Sequence, residues 1–364
     1  MTASSVCLGE ICEFKYGKSL SATVRKGGSF DVFGSNGIVG HHDEAISQGP
    51  TIIVGRKGSL GELNYSAKSC WPIDTTYYVD QTCTETDLRW LLHAMASLRL
   101  TELNRAAAIP GLNRKDAYAK RLNLPSLPEQ RRIAEILDKA DALRAKRREA
   151  IAKLDQLLQS VFLEMFGDPV TNPKGWPVGR LADLGELDRG ISRHRPRSAA
   201  ELLDGEHPLI QTGDVARSGG YIRKFNTTYS DVGLAQSKKW PAGTLCITIA
   251  ANIADTGILT FDACFPDSVV GFTASEASNA EFVQSLMGFL REILEKRAPQ
   301  VAQKNINLAI LRELPIPIPP VGAQKKWASF AASVENMRQS LRIAEDFGSR
   351  LFASVRRDAF AGTL

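Results

Sequence analysis

The sequence predicts an α/β protein built as a pseudo-twofold internal repeat, two similar mixed α/β domains separated by two long helices packed on each other as an antiparallel coiled coil. Three observations carry this. The second half of the 364-residue chain repeats the first at an offset that drifts from 173 to 196 residues. Within each half, β-branched and apolar runs between glycine-rich turns give way to a helical period. Each half then meets a proline-rich stop and continues as a long stretch with heptad spacing.

The repeat is anchored at several points. Leu8-Gly9-Glu10-Ile11 corresponds to Leu181-Ala182-Asp183-Leu184, Gly17-Lys18-Ser19 to Gly190-Ile191-Ser192, and Cys70-Trp71-Pro72 to Cys264-Phe265-Pro266. Leu122-Asn123-Leu124-Pro125 matches Leu314-Pro315-Ile316-Pro317 at an offset of 192. Gln130-Arg131-Arg132 matches Gln324-Lys325-Lys326, and Ser160-Val161 matches Ser354-Val355, both at 194.

Inside the mixed units, Thr51-Ile52-Ile53-Val54 and Leu245-Cys246-Ile247-Thr248-Ile249 read as strands. Leu88 to Arg105 and Ala280 to Arg297 read as helices. Pro125, Pro128, Pro315, Pro317, Pro319 and Pro320 end what precedes them and pre-set entry to the next helix.

From Glu129 to Phe166 no glycine or proline interrupts the chain, which at 1.5 Å per residue is about 57 Å of helix. Ile133, Ala140, Leu154 and Val161 fall on one seam position, and Ile136, Leu143, Ala150 and Leu157 on the other. The second copy places Trp327, Val334, Gly348 and Val355, then Phe330, Met337, Ala344 and Leu351, at the same positions. Arg147 interrupts the first seam, where the second has Leu341, and Gly348 weakens the second.

Composition sets the limits. With 43% hydrophobic and 23% charged residues and a mean hydropathy of −0.15, the chain is neither disordered, collagenous nor membrane-spanning. Its start has no basic, apolar or small-residue signal pattern, so a cytoplasmic location is expected. Six cysteines form no C-x-x-C pair, no zinc spacing and no disulfide framework, and are expected as reduced, buried thiols. A net charge of +5 permits a polyanionic partner without demanding one.

Catalytic signatures are missing. Gly55-Arg56-Lys57-Gly58-Ser59 lacks the spacing of a phosphate loop. Asn172-Pro173-Lys174-Gly175 lacks the second proline and the aromatic of a methyltransferase motif. After Pro266-Asp267 the next acid is Glu276, followed by Ala277-Ser278, which breaks the pattern of a metal-dependent nuclease. His41 and His42 are adjacent and point apart, and no other histidine has a partner at ligand spacing.

Phe166-Gly167-Asp168-Pro169 with Asn172-Pro173-Lys174-Gly175-Trp176 resembles the joint of specificity subunits of type I restriction-modification systems. Leu127-Pro128-Glu129-Gln130-Arg131-Arg132-Ile133-Ala134 resembles the start of that family's central helix, and Pro317-Ile318-Pro319-Pro320 with Gln324-Lys325-Lys326 its second copy. Phe33-Gly34-Ser35-Asn36-Gly37-Ile38 and Ile53-Val54-Gly55-Arg56-Lys57-Gly58 look like the first target-recognition domain. Ile210-Gln211-Thr212-Gly213-Asp214-Val215 and Pro241-Ala242-Gly243-Thr244-Leu245 look like the second. The likeness covers essentially the whole chain. One departure is Val321-Gly322-Ala323, which stands where the first copy has only Glu129.

The resemblance implies a non-catalytic reader: each mixed unit reads half of a bipartite double-stranded DNA target, and the helices set the gap. Two methyltransferase subunits would bind the helices and motor-nuclease subunits would join for cleavage. S-adenosylmethionine, ATP and Mg²⁺ would belong to those partners, with no cofactor or metal in this chain. Attachment of the same reader to a methylation-only or other defence complex is the alternative. The implied division is 1–127 for the first recognition domain, 128–166 for the central helix, 167–177 for a linker, 178–320 for the second recognition domain and 321–364 for the C-terminal helix.

DNA affinity comes from Lys and Arg on phosphates, and specificity from Arg, Asn, Gln or Lys at base edges. In the first unit the candidates are Lys15, Tyr16, Lys18, Arg25, Lys26, Asn36, Arg56 and Lys57. In the second, Arg189, Arg193, Arg195 and Arg197 form the densest basic run, followed by Gln211, Arg217, Arg223, Lys224, Lys238 and Lys239. Any single one also reads as a solvated surface charge. Asn36 has two equal readings, a base contact or the left-handed residue of a turn. The charged run Arg144 to Glu149 reads as a solvated helix face or as a contact to a phosphate or a partner's acidic surface.

Overall fold

The computed structural model describes residues 4–104, 111–250, 253–297 and 306–361. The chain divides into two compact units, Met1–Ala150 with Leu341–Leu364, and Ile151–Ser340. This division differs from the expected one by cutting through both long helices, so each unit owns a stretch of each.

In the first unit a four-stranded antiparallel sheet runs in the order Lys15–Tyr16, Thr76–Asp80, Thr51–Gly55, Leu63–Ser66. Its inner strand, Thr-Ile-Ile-Val-Gly, is buried on both faces, which is why the run is continuously apolar rather than alternating. A three-stranded sheet pairs Phe30–Gly34 with Gly37–His42 and Trp71–Pro72. The helix Leu88–Ser97 starts at Asp87, whose carboxylate accepts from the backbone N–H groups of Arg89 and Trp90. It stops eight residues short of the expected Arg105, because Arg99 takes a left-handed φ of 50° and only a 3₁₀ turn, Leu100–Asn104, follows. Arg105 itself lies outside the described residues.

The second unit repeats the plan. Gly185–Arg189, Val269–Ala274, Leu245–Thr248, Thr256–Leu259 and Gly220–Ile222 form a five-stranded sheet. A four-stranded sheet takes Thr227–Tyr229, Leu203–Leu209, Ala263–Cys264 and Lys239–Trp240. Ala280–Arg297 is helical, as expected. The Gly17 and Gly190 of the repeat have a common cause: a Cβ on Gly17 would lie 2.1 Å from the Ile73 carbonyl oxygen, and one on Gly190 2.3 Å from that of Phe265. In each unit a strand passes its neighbour's backbone too closely for a side chain.

Each unit is closed by a two-stranded antiparallel ladder, Ser4–Cys7 with Arg121–Leu124 and Val178–Arg180 with Pro315–Pro317. In the first unit the strand stops before Pro125, as expected, whereas in the second Pro315 and Pro317 lie within the ladder itself. Past each ladder a buried glutamine secures the helix entry. The Gln130 amide donates to the Pro125 carbonyl at 2.9 Å, and the Gln324 amide to the Pro319 carbonyl at 2.8 Å.

The long helices span Leu127–Phe166 and Val321–Ala361. Val321-Gly322-Ala323, the departure in the second copy, is its first turn. Within each unit the two stretches run antiparallel. In the first, the Arg144 guanidinium lies 4.9 Å over the Phe352 ring and Arg148 pairs with Glu345 at 2.7 Å. In the second, Arg338 pairs with Asp155, and Phe162 meets Trp327 edge to face at 5.2 Å.

The seam differs from expectation by one residue. Ile133, Ala140, Leu154 and Val161 do face inward, as do Trp327, Val334 and Val355. The second seam column is Leu137, Arg144, Ile151 and Leu158 on the first helix, and Ala331, Arg338, Glu345 and Phe352 on the second. Of the column expected there, Leu143 and Leu351 are each 53% exposed, Leu157 is 41% and Met337 53%, whereas Ile136, Ala150, Phe330 and Ala344 stay half-buried and Phe330 packs on the core. Three charged residues, Arg144, Arg338 and Glu345, share the inner column with five apolar ones. Arg338 is buried, bonds Glu335 at 3.0 Å and the Gly219 carbonyl at 3.3 Å, and Arg223 closes on the same Glu335 at 3.0 Å. All six cysteines are free thiols, five of them buried and Cys7 half-buried.

Candidate nucleic-acid interface

In the first unit, the short strand Lys15–Tyr16 sends its two side chains to opposite faces. Tyr16 stays 52% exposed, with the Arg56 guanidinium 5.0 Å and the Arg114 guanidinium 5.3 Å from its ring centroid. Tyr77 meets the Tyr16 ring edge to face at 5.0 Å. Both arginines are aimed by backbone carbonyls: Arg56 donates to Asp74 at 3.0 Å and Arg114 to Phe14 at 3.3 Å. Such a cation-aromatic cluster keeps its positive charge while presenting a flat ring, a surface suited to phosphate and base together.

Ser35 brings Asn36 to the same region, because its hydroxyl donates to the Thr75 carbonyl at 2.8 Å and also to that of Lys57. The hairpin tip and the Arg56-Lys57 loop are thus stapled together. The left-handed residue of the turn is Gly37, with φ 110°, so Asn36 is exposed for contact rather than spent on the turn. Lys57 is exposed beside it.

Other first-unit candidates are engaged elsewhere. Arg25 donates to the carbonyls of Val39 at 2.6 Å and Leu20 at 3.2 Å, holding its loop to the hairpin. Lys26 pairs with Asp43 at 3.4 Å. Lys18 lies 5.8 Å from the Trp71 ring. Lys15 donates to Thr82 at 2.7 Å; burial lowers its pKa, but the Cys83 sulfur and the Asp80 carboxylate raise it more, leaving it above the ordinary lysine value.

In the second unit three arginines converge on Asp267. Arg189 donates twice to its backbone carbonyl, at 2.9 and 2.6 Å, Arg197 pairs with its carboxylate, and Arg195 lies 3.7 Å away. Arg195 also donates to the Ser192 carbonyl at 2.6 Å. One carboxylate cannot neutralise three guanidiniums, so the cluster keeps a positive excess. Arg197 and Gln211 line one cavity of about 370 Å³ with Thr212, Thr227 and Tyr229. Arg193 and Lys224 are exposed nearby in sequence.

The remaining candidates have local duties. Arg217 pairs with Asp214 at 3.2 Å, and Lys238 with Asp188 at 3.6 Å while lying 3.8 Å over Trp240. Lys239 contacts His207 at 3.1 Å, which in turn meets Asp231 at 2.9 Å. Arg223 pairs with Glu335 of the long helix at 3.0 Å and lies 4.9 Å over the Tyr221 ring. Sequence reasoning missed Arg114, Ser35 and Asp267. Only the fold brings Arg114 to Tyr16, whereas Asp267, next to the repeated Cys264-Phe265-Pro266, had a sequence signal.

Among the described residues no His, Cys, Asp and Glu group could hold a metal ion, and no helix is long and apolar enough to cross a membrane. The model for the Type I restriction modification DNA specificity domain matches residues 2–153 and again 173–342. The Type I restriction enzyme EcoprrI specificity subunit of Escherichia coli is 30% identical over 141 residues, covering 37% of this chain and 35% of that relative. The chain thus matches about a third of that curated relative's length. Among solved structures, the S subunit of a type I restriction-modification system from M. genitalium aligns with a TM-score of 0.72 at 13% identity, over 99% of both chains. A structure concerned with complex assembly and conformational transition of the type I R-M system aligns with a TM-score of 0.57 at 16% identity, over 100% of this chain and 98% of that one. The two alignments carry the fold, and the doubled match coincides with the doubled unit seen in sequence and structure. This chain belongs to the family of type I restriction-modification DNA specificity domains.

Proposed function

We propose that the chain is the sequence reader of a type I restriction-modification complex. Each unit contacts one half of a bipartite double-stranded DNA target, through the Tyr16, Asn36, Arg56, Lys57 and Arg114 cluster in the first and the Arg189, Arg195, Arg197 and Gln211 cluster in the second. The duplication carries this reading: two units of one plan each present a basic, partly aromatic or polar surface, and two helices of about 60 Å are long enough to separate half-sites by one to two turns of duplex. Methyl transfer and cleavage belong to partner subunits, which bring S-adenosylmethionine, ATP and Mg²⁺.

The outward columns of the helices are the docking stripes for two methyltransferase subunits. Leu143 and Leu351 in the first unit's helix pair, and Leu157 and Met337 in the second's, are exposed apolar side chains, one from each helix, which suits further helices packing alongside.

The test is adenine methylation mapped by long-read sequencing in a methylation-free host that co-expresses this chain with its cognate methyltransferase. A split motif with a fixed gap is expected. Removing one heptad from each helix at opposing positions shortens that gap by about three base pairs and leaves both halves unchanged. Methylation without a sequence motif, from a complex that co-purifies, overturns the reading.

A further inference from the structure

The two copies of the fold differ sharply at one place. In the second unit, the end of the first long helix meets Ala280–Arg297 through a stack of rings: Phe162 lies 5.0 Å from Phe289 and 5.2 Å from Trp327, and Phe166 lies 5.0 Å from Phe282. Only a groove of about 180 Å³ remains there. In the first unit the end of the second long helix meets Leu88–Ser97 in the same way, with Phe360 6.2 Å from Trp90 standing for the Phe166 and Phe282 pair. At the repeat offset of 194, however, Phe162 corresponds to Arg356 and Leu163 to Arg357.

One ring and one leucine are thus replaced by guanidiniums, and the space is open. A cleft of about 560 Å³ lies here, lined by Arg99, Arg121, Arg356 and Arg357 with Leu98 and Phe360 among its apolar residues. No carboxylate is among its lining residues. Two acids stand at its edge, Glu102 3.5 Å from Arg99 and Asp358 3.5 Å from Arg357, against the four guanidiniums of the lining. Arg121 is held by the Ser5 hydroxyl and carbonyl, at 3.2 and 3.0 Å, which fixes a guanidinium at the rim. Arg99 occupies the left-handed position that ends its helix, where glycine would be cheaper.

We infer that this cleft binds an acidic segment of a protein partner that carries a large apolar side chain. The four guanidiniums supply the charge complement, and the floor of Leu98 and Phe360 supplies the place that aromatic rings fill in the other copy. A duplex backbone offers phosphates without a large apolar side chain, so contact with phosphates alone would leave that floor exposed. Because the rings of Phe162, Phe166 and Phe289 occupy the corresponding place in the second unit, a partner using the cleft distinguishes the two otherwise similar halves of the chain. The inference does not depend on which DNA is read.

The test uses the full-length chain and a fluorescein-labelled short peptide of glutamate and aspartate with a central Phe-Leu pair, read by fluorescence anisotropy. Arg356→Phe restores the ring found in the other copy and fills the cleft, so binding falls about tenfold or more, while the thermal unfolding midpoint holds or rises. Arg357→Glu, at an exposed side chain, lowers binding similarly without touching the core. An all-acidic peptide lacking the Phe-Leu pair binds about tenfold more weakly than the parent. The proposal is overturned if the wild-type chain does not take up the peptide, if both variants bind it as well as wild type, or if the all-acidic peptide binds equally. Loss of duplex binding in both variants with no effect on the peptide overturns it in favour of a phosphate-backbone site.

Discussion

Gly348 makes the room that Arg147 occupies: a Cβ built on Gly348 would stand 2.5 Å from Arg147 Nη1. The two residues that break the heptad pattern, one on each helix, are therefore partners. A long cation enters the seam because the opposite helix withdraws its side chain, and the glycine is tolerated because the guanidinium fills its gap.

That pairing is measurable as a coupling. Gly348→Ala gains up to about 1 kcal/mol of helix propensity, but in the native background the Arg147 guanidinium must leave the seam first. The gain is expected to be larger in an Arg147→Ala background than in the wild type. A double-mutant cycle by urea unfolding should return about 0.5 kcal/mol or more of coupling; strict additivity contradicts the pairing.

Asp138 anchors the first long helix to Leu88–Ser97, accepting from Arg89 Nε at 2.9 Å and from His93 Nε2 at 2.8 Å. Burial alone would raise its pKa, yet the hydrogen bonds from Arg89 and His93 hold it below the ordinary carboxylate value. A depressed folded-state pKa means stability that is present above the unfolded value, near pH 4, and is lost as pH falls through the folded one. Asp138→Asn is expected to cost about 1–2 kcal/mol at pH 7, with the difference from wild type shrinking below pH 4. Thermal melts across pH 3 to 7 check both the size and the sign.

Asp267 tempers the charge of Arg189, Arg195 and Arg197. Asp267→Asn keeps the backbone carbonyl that Arg189 uses and removes the counter-charge. Non-specific duplex binding is expected to tighten about threefold to tenfold at low salt, with a steeper salt dependence corresponding to about one more phosphate contact. Anisotropy titrations at several salt concentrations read both quantities, and an unchanged slope counts against this cluster as a DNA surface.

Arg56→Ala and Arg114→Ala each remove one cation from the Tyr16 ring. Each is expected to weaken binding of the assembled complex to its target by about 1–3 kcal/mol. Arg25→Ala is the contrast: it loosens the loop and lowers the melting temperature, with a smaller direct effect on binding.

Leu143→Glu with Leu351→Glu places charges on an exposed column, so the isolated chain should melt within a few degrees of wild type while association with the methyltransferase fails. Size-exclusion chromatography of the co-expressed subunits separates this from misfolding.

The repeat, the strands at Thr51 and Leu245 and both long helices were legible because each leaves a local pattern of apolar spacing, glycine and proline. The exact seam was not. Two adjacent columns both show heptad spacing, and the one that faces inward contains Arg144, Arg338 and Glu345, which a hydrophobicity argument rejects. Those residues are admitted by partners on the other helix, Phe352, Asp155 and Arg148, that no local pattern announces. The site was legible at the same level. Basic loops were visible, but Arg25 and Arg223 proved to be spent on Val39, Leu20 and Glu335, while Arg114 joins Tyr16 only through the tertiary fold.

The closing ladders have a consequence for how such a chain can change. Ser4–Cys7 and Arg121–Leu124 are hydrogen-bonded neighbours, as are Val178–Arg180 and Pro315–Pro317, and paired strands lie about 5 Å apart. The polypeptide therefore enters and leaves each recognition unit through one narrow doorway. What lies beyond that doorway can be exchanged for a sequence of another length or specificity so long as it keeps the residues that grip the helices, Arg89, Trp90 and His93 in the first unit and Arg223, Phe282 and Phe289 in the second. A new preference can then be acquired by grafting one unit between its two ladder strands, with those few helix contacts as the match the graft must make.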